Sequence, residues 1–124
     1  LRSYLAARRA AAARYDGLLE GCAGLHIPVR EQRSSHVFHQ YTLKIEGGRP
    51  DALRAHLAEH GIPSGIYYPV PGHAQQAFSH FQYNPDTYAV SAELARTVLS
   101  LPMHTELTEE QQQFISEVII KFID

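Results

Sequence analysis

The chain predicts an α+β fold: a small, mostly antiparallel sheet of three or four strands with helices packed on one face. Three observations carry this. Val37 to Ile45 alternates side chains as a strand does, while three other stretches repeat apolar residues at helical spacing. Helices and strands alternate only loosely, in the order helix, strand, helix, strand, helix, helix. Gly47-Gly48 and Gly61 mark the ends of segments.

The first helix runs from Leu1 to about Gly21 and is rich in Ala and Arg. Leu5, Ala12, Tyr15, Leu19 and Cys22 share one stripe, and Gly21 and Gly24 end it. Leu25 to Val29 is a short extended piece broken by Pro28. In Val37 to Ile45, residues Val37, His39, Tyr41, Leu43 and Ile45 share one face, and Phe38, Gln40, Thr42 and Lys44 the other. Gly47-Gly48 stops the strand. Pro50 opens a helix to His60 that turns Leu53 and Leu57 to the core, with Gly61 at its C′ position. Ser64 to Tyr68 reads as a strand that runs into a loop stiffened by Pro69 and Pro71. Ala74 to Phe78 is a short helix, and Asn84-Pro85-Asp86 a turn. Thr87 to Ser100 is helical, with Val90, Leu94, Ala95, Val98 and Leu99 as its apolar stripe. Thr108-Glu109-Glu110-Gln111 is a capping box. It starts a last helix that buries Phe114, Ile115, Val118, Ile119 and Phe122.

The 124 residues make one domain, long enough for a genuine core. A net charge of −2 and only two lysines, Lys44 and Lys121, argue against a nucleic-acid footprint. No apolar run reaches the roughly 20 residues of a membrane span, and Leu1 to Tyr15 lacks the apolar stretch of a signal peptide. The single cysteine, Cys22, fits a reducing compartment, and a cytoplasmic location is expected. The chain opens on Leu1, already inside a helical pattern, which reads as a fragment boundary.

Gly61 to His73 is the stretch most suited to binding. Its prolines hold an extended shape that presents Tyr67, Tyr68 and His73 at one end of the sheet. On a continuing strand Tyr67 and Tyr68 point to opposite faces, one packed and one free. His39 and Tyr41 share a face, and His39 reads as a satisfied core residue. His56-Leu57-Ala58-Glu59-His60 matches the inverted zinc-peptidase signature, but the helix ends at once and no third ligand is placed. Two histidines interacting with the helix C-terminus explain the pattern more simply. Leu101-Pro102-Met103-His104 reads as a helix stop and turn. No Ser-His-Asp order, P-loop or dinucleotide fingerprint occurs.

Taken in order, Arg8 to Tyr15, Val37 to Tyr41, Leu53 to Gly61, Gly65 to His73, Ala92-Glu93 with Leu99 to His104, and Leu107-Thr108 with Gln111 form a specific set. Over nearly its whole length the chain resembles the C-terminal small domain of the DegT/DnrJ/StrS family of pyridoxal-phosphate-dependent sugar aminotransferases. The resemblance implies the small domain of a fold-type I aminotransferase, spanning residues 1–124, with the large cofactor-binding domain elsewhere. It implies amino transfer, usually from glutamate, to a keto sugar on a nucleotide, in homodimers with shared sites. By that similarity Tyr67, Tyr68 and His73 line the sugar-nucleotide side of the cleft, and His39 and Tyr41 lie near it. The family often carries His at the place of Tyr67 and a larger residue at the place of Gly72, so the sugar stays open. Lys44 and Lys121 do not match the family's Schiff-base lysine. The chain alone is therefore expected to hold no cofactor covalently, to bind no metal and to be inactive. The rival reading is a freestanding, non-enzymatic α+β binding module that uses the Tyr-Pro loop as its contact surface.

Overall fold

A computed structural model describes residues 2–123, so Leu1 at the expected helix start lies outside it. Helix α1 spans Arg2–Leu19, and Ala11, Ala12, Tyr15 and Leu19 form its buried stripe. Strands β1 (Leu25–His26), β2 (Tyr41–Ile45) and β3 (Val98–Leu101) form one antiparallel sheet in the order β1-β2-β3. Leu25 lies opposite Ile45, and Tyr41 opposite Leu101. Helices α2 (Pro50–Glu59), α3 (Ala89–Thr97) and α4 (Glu109–Ile123) complete the regular elements, with 3-10 turns at Gly72–Ala74, Gln76–Phe81 and Pro85–Tyr88. The expected α+β layer is the observed fold.

One face of the sheet is dry. Tyr41, Leu43 and Ile45 of β2 meet Tyr15 and Leu19 of α1, Leu53 and Leu57 of α2, and Ile115 and Ile119 of α4 in a single core. The helix ends follow from local chemistry. Pro50 occupies the first turn of α2. Gly61, at φ +72°, closes that helix as a Schellman turn: its N–H bonds Ala58 O, and Ile62 N–H bonds Leu57 O at 2.9 Å. Ile62 is buried there. The capping box forms as expected: Gln111 N–H donates to Thr108 Oγ1 at 3.2 Å, and Thr108 N–H to Gln111 Oε1 at 2.9 Å.

A buried polar link crosses the α1–α4 seam, beside the exposed Arg14–Glu109 pair. Gln112 is fully buried; its Nε2 donates to Ala11 O at 2.8 Å, and its Oε1 accepts from Arg14 Nη1 at 2.6 Å. Asp16 does similar service beside the sheet, accepting from Tyr41 Oη at 2.7 Å and pairing with Arg30.

Several expectations are corrected. Strand β2 begins at Tyr41, not Val37, because Phe38 takes a left-handed backbone, φ +48°. That turn breaks the alternation, so Phe38 is buried while Val37 and His39 are exposed. His39 is thus no core residue. Ser64 to Tyr68 is no strand: Gly65 makes one isolated bridge to Ser100. Pro63 and Pro69 withhold backbone donors on either side of it. The expected Thr87–Ser100 helix ends at Thr97, and Val98–Leu101 becomes β3, captured by pairing with β2. None of α3 is buried, Val90 is 71% exposed and Leu94 is exposed, so its apolar stripe does not face the core. Phe114 of α4 is likewise exposed, while Ile115, Val118 and Ile119 are buried as expected.

Two outcomes follow from this packing. Gln112→Ala removes the buried amide that joins Ala11 O to Arg14 and leaves a gap in the seam, which should cost about 1–3 kcal/mol, read as a lower urea midpoint. Burial raises the phenol pKa of both Tyr15 and Tyr41 above the ordinary 10.0, and Asp16 raises that of Tyr41 further. The unfolded phenols release their protons first, so this stability is fully present below pH about 10 and falls as pH rises beyond it. Melting temperatures measured from pH 8 to 12 should show that fall, and Tyr15→Phe and Tyr41→Phe should each flatten it.

Candidate functional site

The other face of the sheet carries Thr42 and Lys44 of β2 and Ser100 and Val98 of β3. Thr42 Oγ1 and Ser100 Oγ hydrogen-bond at 2.8 Å. Two concavities flank this line. A groove of about 750 Å³ is lined by Thr42, Lys44, Tyr68, His73, Leu94 and Val98, among others. A smaller cavity of about 310 Å³ lies among His39, Gly65, Tyr67, Ser100, Met103 and His104. The groove is within the size range of small-ligand sites, with mainly apolar walls and a few polar groups.

The proline loop divides the two. Gly65 N–H donates to Ser100 O at 3.0 Å, and Ser100 N–H returns a bond to Gly65 O at 2.8 Å. Beyond that anchor Tyr67 lines the cavity and Tyr68 the groove. Both phenols are exposed, 58% and 77%, so the expectation that one of them packs is corrected. They do serve opposite sides, as a strand would have placed them. His73 sits in the groove wall, its ring stacked on Tyr88 with centroids 4.6 Å apart. Lys44 Nζ donates to Glu93 Oε1 at 2.6 Å, joining the groove floor to α3 and holding that carboxyl below its ordinary range.

Of the residues singled out in the sequence, the structure brings Tyr68 and His73 to the groove, and Tyr67 and His39 to the cavity. Tyr41 belongs to neither. It is fully buried with its hydroxyl on Asp16, so its side chain cannot reach a ligand; the alternation that starts at β2 turns it inward. His104 is a cavity residue that spacing left as a turn. Its segment is tied to α1 by Tyr15 Oη, which donates to Pro102 O at 3.1 Å. The only sequence signal was a second Pro-x-His, echoing Pro71-Gly72-His73.

The His56/His60 pair is a helix-end arrangement. His60 Nδ1 donates to His56 O at 2.9 Å, and the His56 ring packs on Phe122 with centroids 5.4 Å apart. Among the described residues no three His, Cys, Asp or Glu side chains are grouped to hold a metal ion, and no helix is long and apolar enough to cross a membrane.

Gly65 is glycine for Tyr67. A Cβ there would stand 2.9 Å from Cε2 and Cζ of the Tyr67 ring. Gly65→Ala should therefore push the ring off its seat while the Gly65–Ser100 bridge persists. The expected result is a moved Tyr67 ring resonance, with the Ser100 amide still protected from exchange. Stability should change by about 0.5 kcal/mol, the scale of surface substitutions.

The chain is 43% identical over 120 residues to the UDP-N-acetyl-3-dehydro-alpha-D-glucosamine 3-aminotransferase of Acidithiobacillus ferrooxidans, covering 96% of this chain and 31% of that protein. It is 41% identical over 117 residues to the "pleiotropic regulatory protein" of Geobacillus stearothermophilus, covering 93% and 31%. The crystal structure of DesV from S. venezuelae superposes with a TM-score of 0.92 at 30% identity, over 99% of this chain and 33% of that one. The chain thus spans about a third of the length of these relatives. The model of the DegT/DnrJ/EryC1/StrS aminotransferases matches residues 1–120. With nearly every residue inside that match, the chain belongs to the DegT/DnrJ/EryC1/StrS aminotransferase family.

Proposed function

We propose that these residues are the C-terminal small domain of a nucleotide-sugar aminotransferase and form one wall of its substrate cleft. The observation that carries this is the split of the Tyr67-Tyr68 pair between two concavities on the sheet's open face. Relatives named as aminotransferases of nucleotide-linked sugars give the cleft its substrate class. In this reading Tyr68 and His73 offer a phenol and an imidazole to one part of the ligand. Tyr67, His39 and His104 do so to the other, and each phenol can donate a hydrogen bond while its ring covers apolar surface. Glutamate is the proposed amino donor, the homodimer the working assembly and the cytoplasm its place.

Pyridoxal phosphate is the cofactor expected of such an enzyme, and it supplies the electron sink for moving nitrogen. The residues present do not fit it. Lys44 is engaged by Glu93 on the sheet's open face, and Lys121 is exposed in the last turn of α4. Neither is a desolvated amine of the kind that serves as a nucleophile. The reactive lysine is therefore assigned to polypeptide outside these residues. Exposed Phe78, Phe81, Val90 and Leu94 offer that polypeptide apolar surface to cover.

The test begins with the complete reading frame. It should extend upstream by about twice this chain's length, and its product should convert a nucleotide-linked keto sugar and glutamate into the amino sugar and 2-oxoglutarate. The 124 residues alone, mixed with pyridoxal phosphate and borohydride, should yield no stable stoichiometric adduct at one specific lysine by mass spectrometry, only the slow non-specific labelling of any exposed amine. A reading frame that starts beside Leu1, with no amino transfer, would favour the freestanding binding module. A specific adduct on Lys44 or Lys121 would sink the assignment of the lysine elsewhere.

A further inference from the structure

The segment before β2 is held more firmly than an exposed loop requires. Arg8, on the second turn of α1, donates from Nη1 to two successive carbonyls, Phe38 O at 2.9 Å and His39 O at 3.1 Å. Arg9 Nε donates to His36 O at 3.1 Å. Phe38 N–H donates to His36 Nδ1 at 2.9 Å, and the two rings stack with centroids 4.1 Å apart. On its other side the Phe38 ring carries the Arg30 guanidinium, 4.0 Å from its centroid. Between these contacts Phe38 stands in the left-handed region at φ +48° while its side chain is buried. For a bulky non-glycine residue that backbone is strained and persists only where the surroundings impose it.

The strained turn has a geometric consequence. Side chains alternate along a strand, so continuing β2 backwards from Tyr41 would place His39 on the dry face with it. A single left-handed residue at Phe38 breaks that phase. The large apolar ring goes into the core, and the imidazole comes out to line the cavity with Tyr67 and His104. The choice between a buried and a presented His39 is made at Phe38, and the group that holds the Phe38 and His39 carbonyls, Arg8, comes from α1.

We infer that Arg8 is a positioning residue for the cavity: by gripping the carbonyls of Phe38 and His39 it keeps the left-handed turn that presents the His39 imidazole to the sugar-nucleotide substrate. The part that concerns substrate rests on the function proposed above; the part that concerns His39 does not. Arg8 itself touches no ligand. A guanidinium suits the task because it is always charged and presents its donors on a rigid plane.

Hydrogen bonding gives the test its signature. A backbone N–H can only donate, so His36 Nδ1 must be unprotonated to accept from Phe38, and the ring's proton sits on Nε2. Ring nitrogen spectra of the chain should show His36 in that one tautomer and a single His39 environment. In Arg8→Met the His36 ring should become a tautomer mixture and the His39 resonances should move. The His73–Tyr88 ring contact, far along the chain, should persist and report an intact fold. Arg8→Lys, which keeps the charge, should recover part of the His39 shift. Unchanged His36 and His39 spectra in Arg8→Met would overturn the inference, as would a His39 that moves only when the His73–Tyr88 contact is lost too. In the protein made from the complete reading frame, Arg8→Met should raise KM for the nucleotide sugar about tenfold, the scale of one lost hydrogen bond to a charged group. There kcat should fall less than twofold. A kcat that falls while KM holds would remove the substrate-positioning role. If that protein transfers no amino group at all, the proposed function fails, and the ring spectra still decide whether Arg8 sets His39.

Discussion

Everything in this domain hangs on the two-sidedness of a five-residue strand. Tyr41, Leu43 and Ile45 turn to one side of β2 and are buried, while Thr42 and Lys44 turn to the other and stay partly wet. With a side-chain period of two, a slip of one residue would exchange the faces. The helices obey that division. α1, α2 and α4 cover the dry face, where at ~25 cal/mol per Å² of apolar area each buried leucine repays its ordering. α3, the proline loop and the segment from His26 to Val29 border the other. The concave surfaces of the molecule that carry the singled-out Tyr and His side chains are on this uncovered side because the core has no use for it.

How far the sequence foretold this depends on whether a local rule or a tertiary contact decides each residue. Local rules decided the helix ends. Pro50 and Gly61 bracket α2, and Thr108 with Gln111 caps the last helix, because each motif satisfies its own backbone within a few residues. The stripe of Ala12, Tyr15 and Leu19 was equally readable. The misjudged elements share a non-local cause. Val98 to Leu101 has the composition of a helix tail, and only its pairing with β2, more than fifty residues earlier, makes it a strand. Phe38 gives no local sign of a left-handed backbone; Arg8, thirty residues away, holds it.

The same division runs through the candidate site. Tyr67, Tyr68 and His73 were visible because prolines stiffen their loop, a property of the chain itself. His104 was not, because its place in the cavity depends on Tyr15 holding Pro102 and on β3 ending beside Gly65. Tyr41 was drawn toward the site by its neighbour His39, but the two part company at the Phe38 turn. α3 is the instructive failure of pattern. Its stripe of Val90, Leu94 and Ala95 is real, yet the face it forms lines the groove or meets solvent instead of the core. Amphipathicity says that a face wants cover, and it does not say which surface supplies it.

The thin wall between the groove and the cavity explains why neighbouring tyrosines can do different jobs. Ser100 is at its centre. Its side chain bonds Thr42 across the sheet, and its backbone N–H and C=O both bond Gly65. One residue of β3 therefore joins the sheet's open face to the loop. Because Gly65 makes the segment's one bridge among the described residues, Ile66 to Tyr68 run free of the sheet, and Pro69, without an N–H, cannot resume the pairing there. A continued strand would have consumed the backbone of Ile66 to Tyr68 in ladder bonds while its pleat set the two phenols on opposite faces. A single anchor followed by stiff, unpaired chain keeps that division without the ladder. Tyr67 folds back over Gly65 into the cavity, and Tyr68 goes forward over the groove. The Tyr67-Tyr68 pair therefore borders both concavities from backbone that meets the sheet at Gly65 alone among the described residues of this segment.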